Sequence, residues 1–145
     1  MRALVLAALL TFSSSIIAQD NPVVIMETSK GTIKIELRPD LTPITVENFL
    51  RYVDNGYYDG LIFHRVINGF MIQGGGFDSD IVQKPTYDPI KNEADNGIPN
   101  ARGAISMART GVVDSATSQF FINLVNNASL DFQNSSPSGY GYTAF

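Results

Sequence analysis

Ile33, Ile35 and Leu37 alternate with Thr32, Lys34 and Glu36, and another apolar run, Val23 to Met26, precedes them across Ser29-Lys30-Gly31. A period of two on either side of a short polar turn predicts an antiparallel hairpin with one dry and one wet face. Past Thr42 the period changes. Val46, Phe49, Leu50 and Val53 recur at helical spacing, with Thr42 placed to cap, Pro43 at the first helical position and Gly56 just past the end. This predicts a helix of about three turns. Leu61 to Ile67, Met71 to Gln73, Ala104 to Ala108 and Phe120 to Val125 read as further short strands. Between them, Gly74 to Arg102 contains Pro85, Pro89, Pro99 and Asn96-Gly97 and cannot all be sheet. Several short strands with one early helix favour an antiparallel barrel or sandwich over a parallel α/β fold. A loop as long as Gly74 to Arg102 is expected to be functional or to warn against the assignment.

Two polar positions interrupt this pattern. In FHRVINGFMIQGGG, Phe63 to Gly76, two apolar runs meet at Asn68-Gly69, a strong hairpin signal, yet Arg65 and Gln73 are set into them. A two-residue loop would put Arg65 opposite Ile72. A three-residue loop, Asn68-Gly69-Phe70, puts Arg65 opposite Gln73 and Ile67 opposite Met71. The second register is preferred, because guanidinium and amide then share a solvated patch while Val66 and Ile72 turn to the core. Periodicity leaves two readings of Arg65: an exposed arginine packing its stem on neighbours, or a cation set into an apolar surface for chemistry.

Composition narrows the classes. With 145 residues, 44% of them apolar and 17% charged, the chain suits one globular domain. A net charge of -4 with scattered basic residues excludes a nucleic-acid surface. The start, MRALVLAALLTFSSSIIAQD, has Arg2, an apolar run too short to span a bilayer, then small and polar residues. It reads as a secretory signal peptide cut near Ala18, so the chain is expected to be exported, periplasmic or secreted, with no membrane span in its mature part. The absence of cysteine and a single histidine remove thiol mechanisms and most zinc sites.

Other single features carry little. His64, the only histidine, could suggest a Ser/His/Asp hydrolase with one of the many serines, but no G-x-S-x-G elbow is present, and a buried, hydrogen-bonded imidazole is the expectation. Gly74-Gly75-Gly76 lacks the Gly-Lys-Ser/Thr of a phosphate loop, and tight backbone packing explains it better. Asp78, Asp80, Asp88, Glu93 and Asp95 lack calcium-loop spacing and read as solvated loop charge.

FHRVINGFMIQGGGF, then NEADNGIPNARGAISMART, then SATSQFFINLVNNASLDF together resemble the cyclophilin family of peptidyl-prolyl cis/trans isomerases, and more closely its bacterial-type branch. The resemblance runs from about Val23 to Phe145, in one order. It implies a mainly β fold, an eight-stranded antiparallel barrel with a helix closing each end, and a substrate groove on the outer surface. By position it makes Arg65 the catalytic arginine and Gln73 the glutamine that positions it. Phe70, Met71, Phe121 and Leu130 would line the proline pocket, Ala108 and Arg109 would lie along the bound peptide, and Gln119 would be nearby.

Two substrate-pocket positions depart from the commonest family form. Ser129 stands where many members have tryptophan, and Tyr142 where many have histidine. Cyclosporin-like ligands are therefore expected to bind weakly. Phe145 falls short of the family's last helix and strand, so residues 19–145 read as a barrel incomplete at its C-terminal side. The implied partners are proline-containing polypeptides, and no metal or cofactor is implied. The expected activity is X-Pro isomerisation in exported chains, and the alternative is a module that binds proline segments without catalysis.

Overall fold

Alternation sets the first element of the structure. The computed structural model describes residues 20–145, so the export-signal reading lies outside the described residues. Strands β1 (Val23–Thr28) and β2 (Gly31–Glu36) pair antiparallel, with Val24 opposite Ile35 and Met26 opposite Ile33. Those four side chains turn toward the core, while Val23 and Ile25 share the outer face with Glu36 and Lys34. The predicted dry and wet faces are both present.

Helix α1 (Pro43–Asp54) follows, with Pro43 in its first turn and Gly56 beyond its end in the left-handed region at φ 62°. Val46 and Phe49 are buried in the core and Leu50 and Val53 pack against it, as the spacing predicts. The cap differs from expectation. Thr42 makes no side-chain cap bond, and its hydroxyl donates back to the Arg38 carbonyl at 2.9 Å. The Glu93 carboxylate takes that place from 48 residues away, accepting from Thr45 N–H at 2.8 Å, Thr45 Oγ1 at 2.7 Å and Ile44 N–H at 3.2 Å. An anion against the unpaired N–H groups of a helix start satisfies donors that would otherwise lack partners. Glu93 is thus not the solvated loop charge that its sequence setting suggests.

The remaining strands are β3 (Arg65–Ile67), β4 (Met71–Gly74), β5 (Ile105–Met107) and β6 (Phe120–Asn123), joined as a four-stranded antiparallel sheet in the order β3-β4-β6-β5. They are shorter than the apolar runs that predict them. Leu61, for example, makes only an isolated bridge to Asp78. Ile105, Met107 and Phe120 turn inward to join Ile35, Leu37, Val46, Phe49 and Phe145 in one core. The fold is mainly β; among the described residues six strands form two sheets that are not closed into a barrel.

The irregular stretch from Gly74 to Arg102 is pinned at intervals. Lys84 N–H donates to the Gly76 carbonyl at 3.0 Å and Ile90 N–H to the Ala116 carbonyl at 2.9 Å. Two polar contacts then carry the order of α1 toward β6. Asn48 Nδ2 donates to the Thr117 carbonyl at 2.7 Å, and Tyr58 Oη to the Ser118 carbonyl at 2.9 Å. The residues that enter β6 are therefore set by the helix and by the turn that follows it.

Because Glu93 provides the polar cap of α1, Glu93→Ala should lower stability by about 2 kcal/mol and Glu93→Gln by less. Urea unfolding followed by far-UV circular dichroism measures both; a loss under about 0.5 kcal/mol for Glu93→Ala would show that the cap is dispensable.

Candidate functional site

The hairpin β3-β4 has the three-residue loop. Arg65 lies opposite Gln73, Val66 opposite Ile72 and Ile67 opposite Met71, and Phe70 N–H donates to the Ile67 carbonyl at 3.1 Å. Gly69 sits at φ 69°, the left-handed conformation that closes such a loop. Register then aligns a row across the sheet. Arg65, Gln73, Phe121 and Ser106 face one another on successive strands, on the side away from the core. Ile67, Met71 and Asn123 form the row beside it. One expectation fails at the edge: Val66 has the inward parity but is 66% exposed, because β3 is the outermost strand and no element covers it there.

The polar side chains of this face form a relay. Arg65 Nη1 donates to Gln73 Oε1 at 3.3 Å, and Gln73 Nε2 donates to Gln119 Oε1 at 2.9 Å. Arg65 is exposed, no carboxylate among the described residues pairs with it, and its other N–H groups have no protein partner there. A guanidinium held at one nitrogen and free at the rest can donate to an incoming acceptor without changing its own support.

Apolar side chains adjoin the relay. Met71 and Phe121 are buried, at 2% and 4% exposure, and form a floor; Phe70, Leu130 and Tyr142 are half-buried around it. The Tyr142 ring meets that of Phe121 edge-on, with centroids 5.7 Å apart. Tyr142 N–H donates to the Leu130 carbonyl at 2.9 Å, so these two wall residues are placed together. Ala108 joins through its N–H, which donates to the Gln119 carbonyl at 2.9 Å. Arg109 spends its guanidinium differently. Its Nε donates to the Gly141 carbonyl at 2.8 Å, Nη1 to Thr110 at 2.9 Å and Nη2 to Pro137 at 3.0 Å, with the head group over the Tyr142 ring. The Arg109 head group is therefore a clamp on the 137–142 loop.

Beneath the walls lies a set of amides that the sequence reading did not single out. Asn100, 1% exposed, donates through Nδ2 to the carbonyls of Leu130 and Tyr142 at 3.1 and 3.2 Å and accepts from Ser106 Oγ at 2.7 Å. Asn127 Nδ2 donates to the Phe70 carbonyl at 3.0 Å and to Asn123 Oδ1 at 2.8 Å. The signal was the clustering of asparagine beside apolar runs in NGIPNARG and NLVNNASL. A separate hollow of about 430 Å³, lined by Ile44, Arg51, Tyr87 and Ile90 among others, shares no residue with this face.

Comparison with known proteins decides the family. A family model described as "Cyclophilin type peptidyl-prolyl cis-trans isomerase/CLD" matches residues 23–145. The chain belongs to the cyclophilin family. It is 52% identical over 138 residues to peptidyl-prolyl cis-trans isomerase A of Dickeya dadantii, covering 95% of this chain and 71% of that protein. It is 54% identical over 122 residues to peptidyl-prolyl cis-trans isomerase B of Escherichia coli, covering 84% of this chain and 74% of that one. Among solved structures, a cyclophilin from Hirschia baltica superposes with a TM-score of 0.70 at 27% identity, over 85% of this chain and 62% of that chain. A Cryptosporidium parvum cyclophilin type isomerase, crystallised in the presence of the dipeptide Ala-Pro, gives 0.67 at 28% identity, over 83% and 75%.

His64 of this cyclophilin chain departs from expectation. Its ring lies 4.6 Å from that of Phe77, and its Nδ1 is buried with no hydrogen-bond partner. Burial, and secondarily the adjacent Arg65, hold its pKa below the ordinary value of 6.5. The unfolded chain therefore takes up a proton before the folded one does. The His64 contribution is complete above the ordinary histidine pKa of 6.5 and is lost as pH falls through the lowered folded value. Melting temperatures between roughly pH 5 and pH 7 should fall toward acid, and His64→Phe, which keeps the ring but not the titration, should flatten that slope. An unchanged slope in the variant would remove His64 as its source.

Proposed function

We propose that this face performs peptidyl-prolyl cis/trans isomerisation with Arg65 as its catalytic donor. The activity follows from the family and from relatives named for it at 52% and 54% identity. The assignment of residues rests chiefly on one observation, the partly free Arg65 guanidinium fixed by Gln73 beside the Phe121 and Met71 floor. The reading includes the family's eight-stranded barrel with α1 closing one end. It is supported by two antiparallel sheets and a helix that share one core.

A planar peptide bond resists rotation with a barrier of roughly 18 to 20 kcal/mol, because resonance gives it double-bond character. No bond has to be made or broken. In the twisted state resonance is lost and the prolyl nitrogen acquires a lone pair that accepts a hydrogen bond. A donor aimed at that nitrogen stabilises the twisted state more than either planar form, and only such differential binding raises the rate. Arg65 stays protonated, so it needs no activation. Phe70, Met71, Phe121 and Leu130 hold the proline ring while the preceding carbonyl turns, and Tyr142 supports Phe121. Backbone groups near Ala108 and Arg109 run beside the peptide, with Gln119 linking Ala108 to Gln73.

The substrates are proline-containing segments of polypeptides, a class supported by the Ala-Pro dipeptide present with the structurally similar Cryptosporidium protein. Export of the chain, and hence assistance to folding outside the cytoplasm, rests on the pattern of residues 1–19. No helix among the described residues is long and apolar enough to cross a membrane.

Arg65→Ala should reduce turnover of a short Ala-Pro peptide by roughly 10² to 10³, the cost of removing one preorganised donor, with an unchanged melting curve. Wild-type rates in a folded Arg65→Ala chain would take Arg65 out of the mechanism, and binding without any rate enhancement by the unmodified chain would make it a proline-binding module instead. Cyclosporin-like ligands should bind weakly, because the exposed Ser129 offers no indole. Ser129→Trp should tighten such binding about tenfold or more; equal affinities measured by calorimetry would overturn that account.

A further inference from the structure

The run Gly74-Gly75-Gly76 contains glycines that serve different ends. Gly75 has φ 81°, and a side chain there would meet the Phe120 ring and the Ser118 carbonyl at 2.9 Å, so backbone conformation and packing both demand glycine. Gly76 is buried, but its φ lies outside the left-handed region, so its backbone conformation would admit alanine. What it lacks is room. A Cβ at residue 76 would meet Gln119 Cγ at 2.6 Å and Gln119 Cδ and Nε2 at 2.8 Å.

We propose that Gly76 is a positioning residue of the isomerase site, its bare Cα forming the cradle in which the Gln119 amide lies. The inference rests on the reading of Arg65 as catalytic donor and extends it. Gln119 lies against Gly76, Gln73 Nε2 donates to Gln119 Oε1, and Gln73 Oε1 receives Arg65 Nη1. An amide has one carbonyl oxygen and one NH2 group, so fixing Gln73 at both ends fixes which of them faces Arg65. Without Gln119, Gln73 is free to turn its NH2 toward the guanidinium, and two donors then face each other. Gly76 acts at the far end of this chain without touching substrate.

The Gly76 backbone is held independently, because its carbonyl accepts from Lys84 N–H at 3.0 Å. The atoms that an added methyl would strike belong to the distal part of a flexible side chain, so Gln119 yields by rotating and the main chain stays in place. The expected result of Gly76→Ala is therefore an intact fold with a displaced relay.

The experiment compares Gly76→Ala, Gln119→Ala and the double variant, alongside Arg65→Ala, by cis/trans exchange of a short Ala-Pro peptide and by thermal melting. Gly76→Ala should lower kcat about three- to tenfold, the worth of one well-placed hydrogen bond. KM should be little changed, and the melting temperature should stay within about 3 °C. Gln119→Ala should lower kcat to a similar extent, and adding Gly76→Ala to it should have no further effect, because the added methyl then meets nothing. Wild-type kcat in a folded Gly76→Ala chain would overturn the inference, as would an equal loss on adding Gly76→Ala to Gln119→Ala. If Gly76→Ala melts early, Gln119→Ala decides alone: wild-type kcat there overturns the inference, and a three- to tenfold loss of kcat at constant KM upholds the relay. Wild-type rates in Arg65→Ala would instead defeat the underlying reading of the site, so the two failures are distinct.

Discussion

The arrangement of the site depends on one buried amide, that of Asn100. Enclosed away from water, it must find partners inside the protein, since an unpaired buried polar group costs about 1 to 3 kcal/mol. It finds them in separate parts of the chain: the carbonyls of Leu130 and Tyr142, the Asp131 carboxylate and the Ser106 hydroxyl. Ser106 belongs to β5, while Leu130 ends a single 3-10 turn and Tyr142 lies in irregular backbone, neither of them held by a ladder. The same demand for satisfaction that makes such a network costly when incomplete makes it specific when complete. Asn127 does the corresponding work for Phe70 through its carbonyl. The apolar side chains beside the relay are therefore placed by polar contacts behind them, as the proposed proline pocket requires.

The other half of the site is placed by sheet register. Because side chains alternate with period two, a slip of one residue in the β3-β4 hairpin would send Arg65 to the core face and Val66 to the site. Gly69 and the three-residue loop prevent that slip, and β6 extends the same row to Phe121. The two devices converge at Gln119, whose carbonyl holds Ala108 and whose amide holds Gln73. Helix α1 and the turn after it reach this point too, through Asn48 and Tyr58 on the carbonyls of residues 117 and 118.

These origins explain what could be read along the chain. The first hairpin, helix α1 and the Arg65–Gln73 pairing each arise from a local period or a turn dipeptide, and each is found as expected. Glu93 and Asn100 have no period, because their partners lie 48 or 49 and 6 to 42 residues away. Such a residue looks like loop polarity until the fold brings its partner near. Thr42 illustrates the converse: its position suits a cap, but the tertiary carboxylate of Glu93 occupies the site instead. The lone His64 also misled, since residue type favoured a bonded imidazole whereas packing on Phe77 left Nδ1 sealed and unpaired. The family motifs did contain Glu93 and Asn100, within NEADNGIPNARG, but resemblance supplied them as a block without roles.

The row Arg65, Gln73, Phe121 also runs from wet to dry, and that gradient bears on the proposed mechanism. Arg65 stands on the edge strand in contact with solvent, so its charge is hydrated and needs no buried counter-ion. Phe121, two strands inward, is buried and can bear on a proline ring but not on a charge. A peptide lying across the row would exclude water from the guanidinium while seating its ring on the aromatic floor. Removal of water strengthens a hydrogen bond to the twisted nitrogen, whereas the planar amide nitrogen offers no lone pair and gains nothing comparable. A carboxylate beside Arg65 would have fixed the guanidinium more tightly than a neutral amide does, but it would also have offset the charge and competed for its donors. Gln73 accepts a single hydrogen bond from the guanidinium and leaves its charge uncompensated, the state that the proposed mechanism requires for discrimination between twisted and planar substrate.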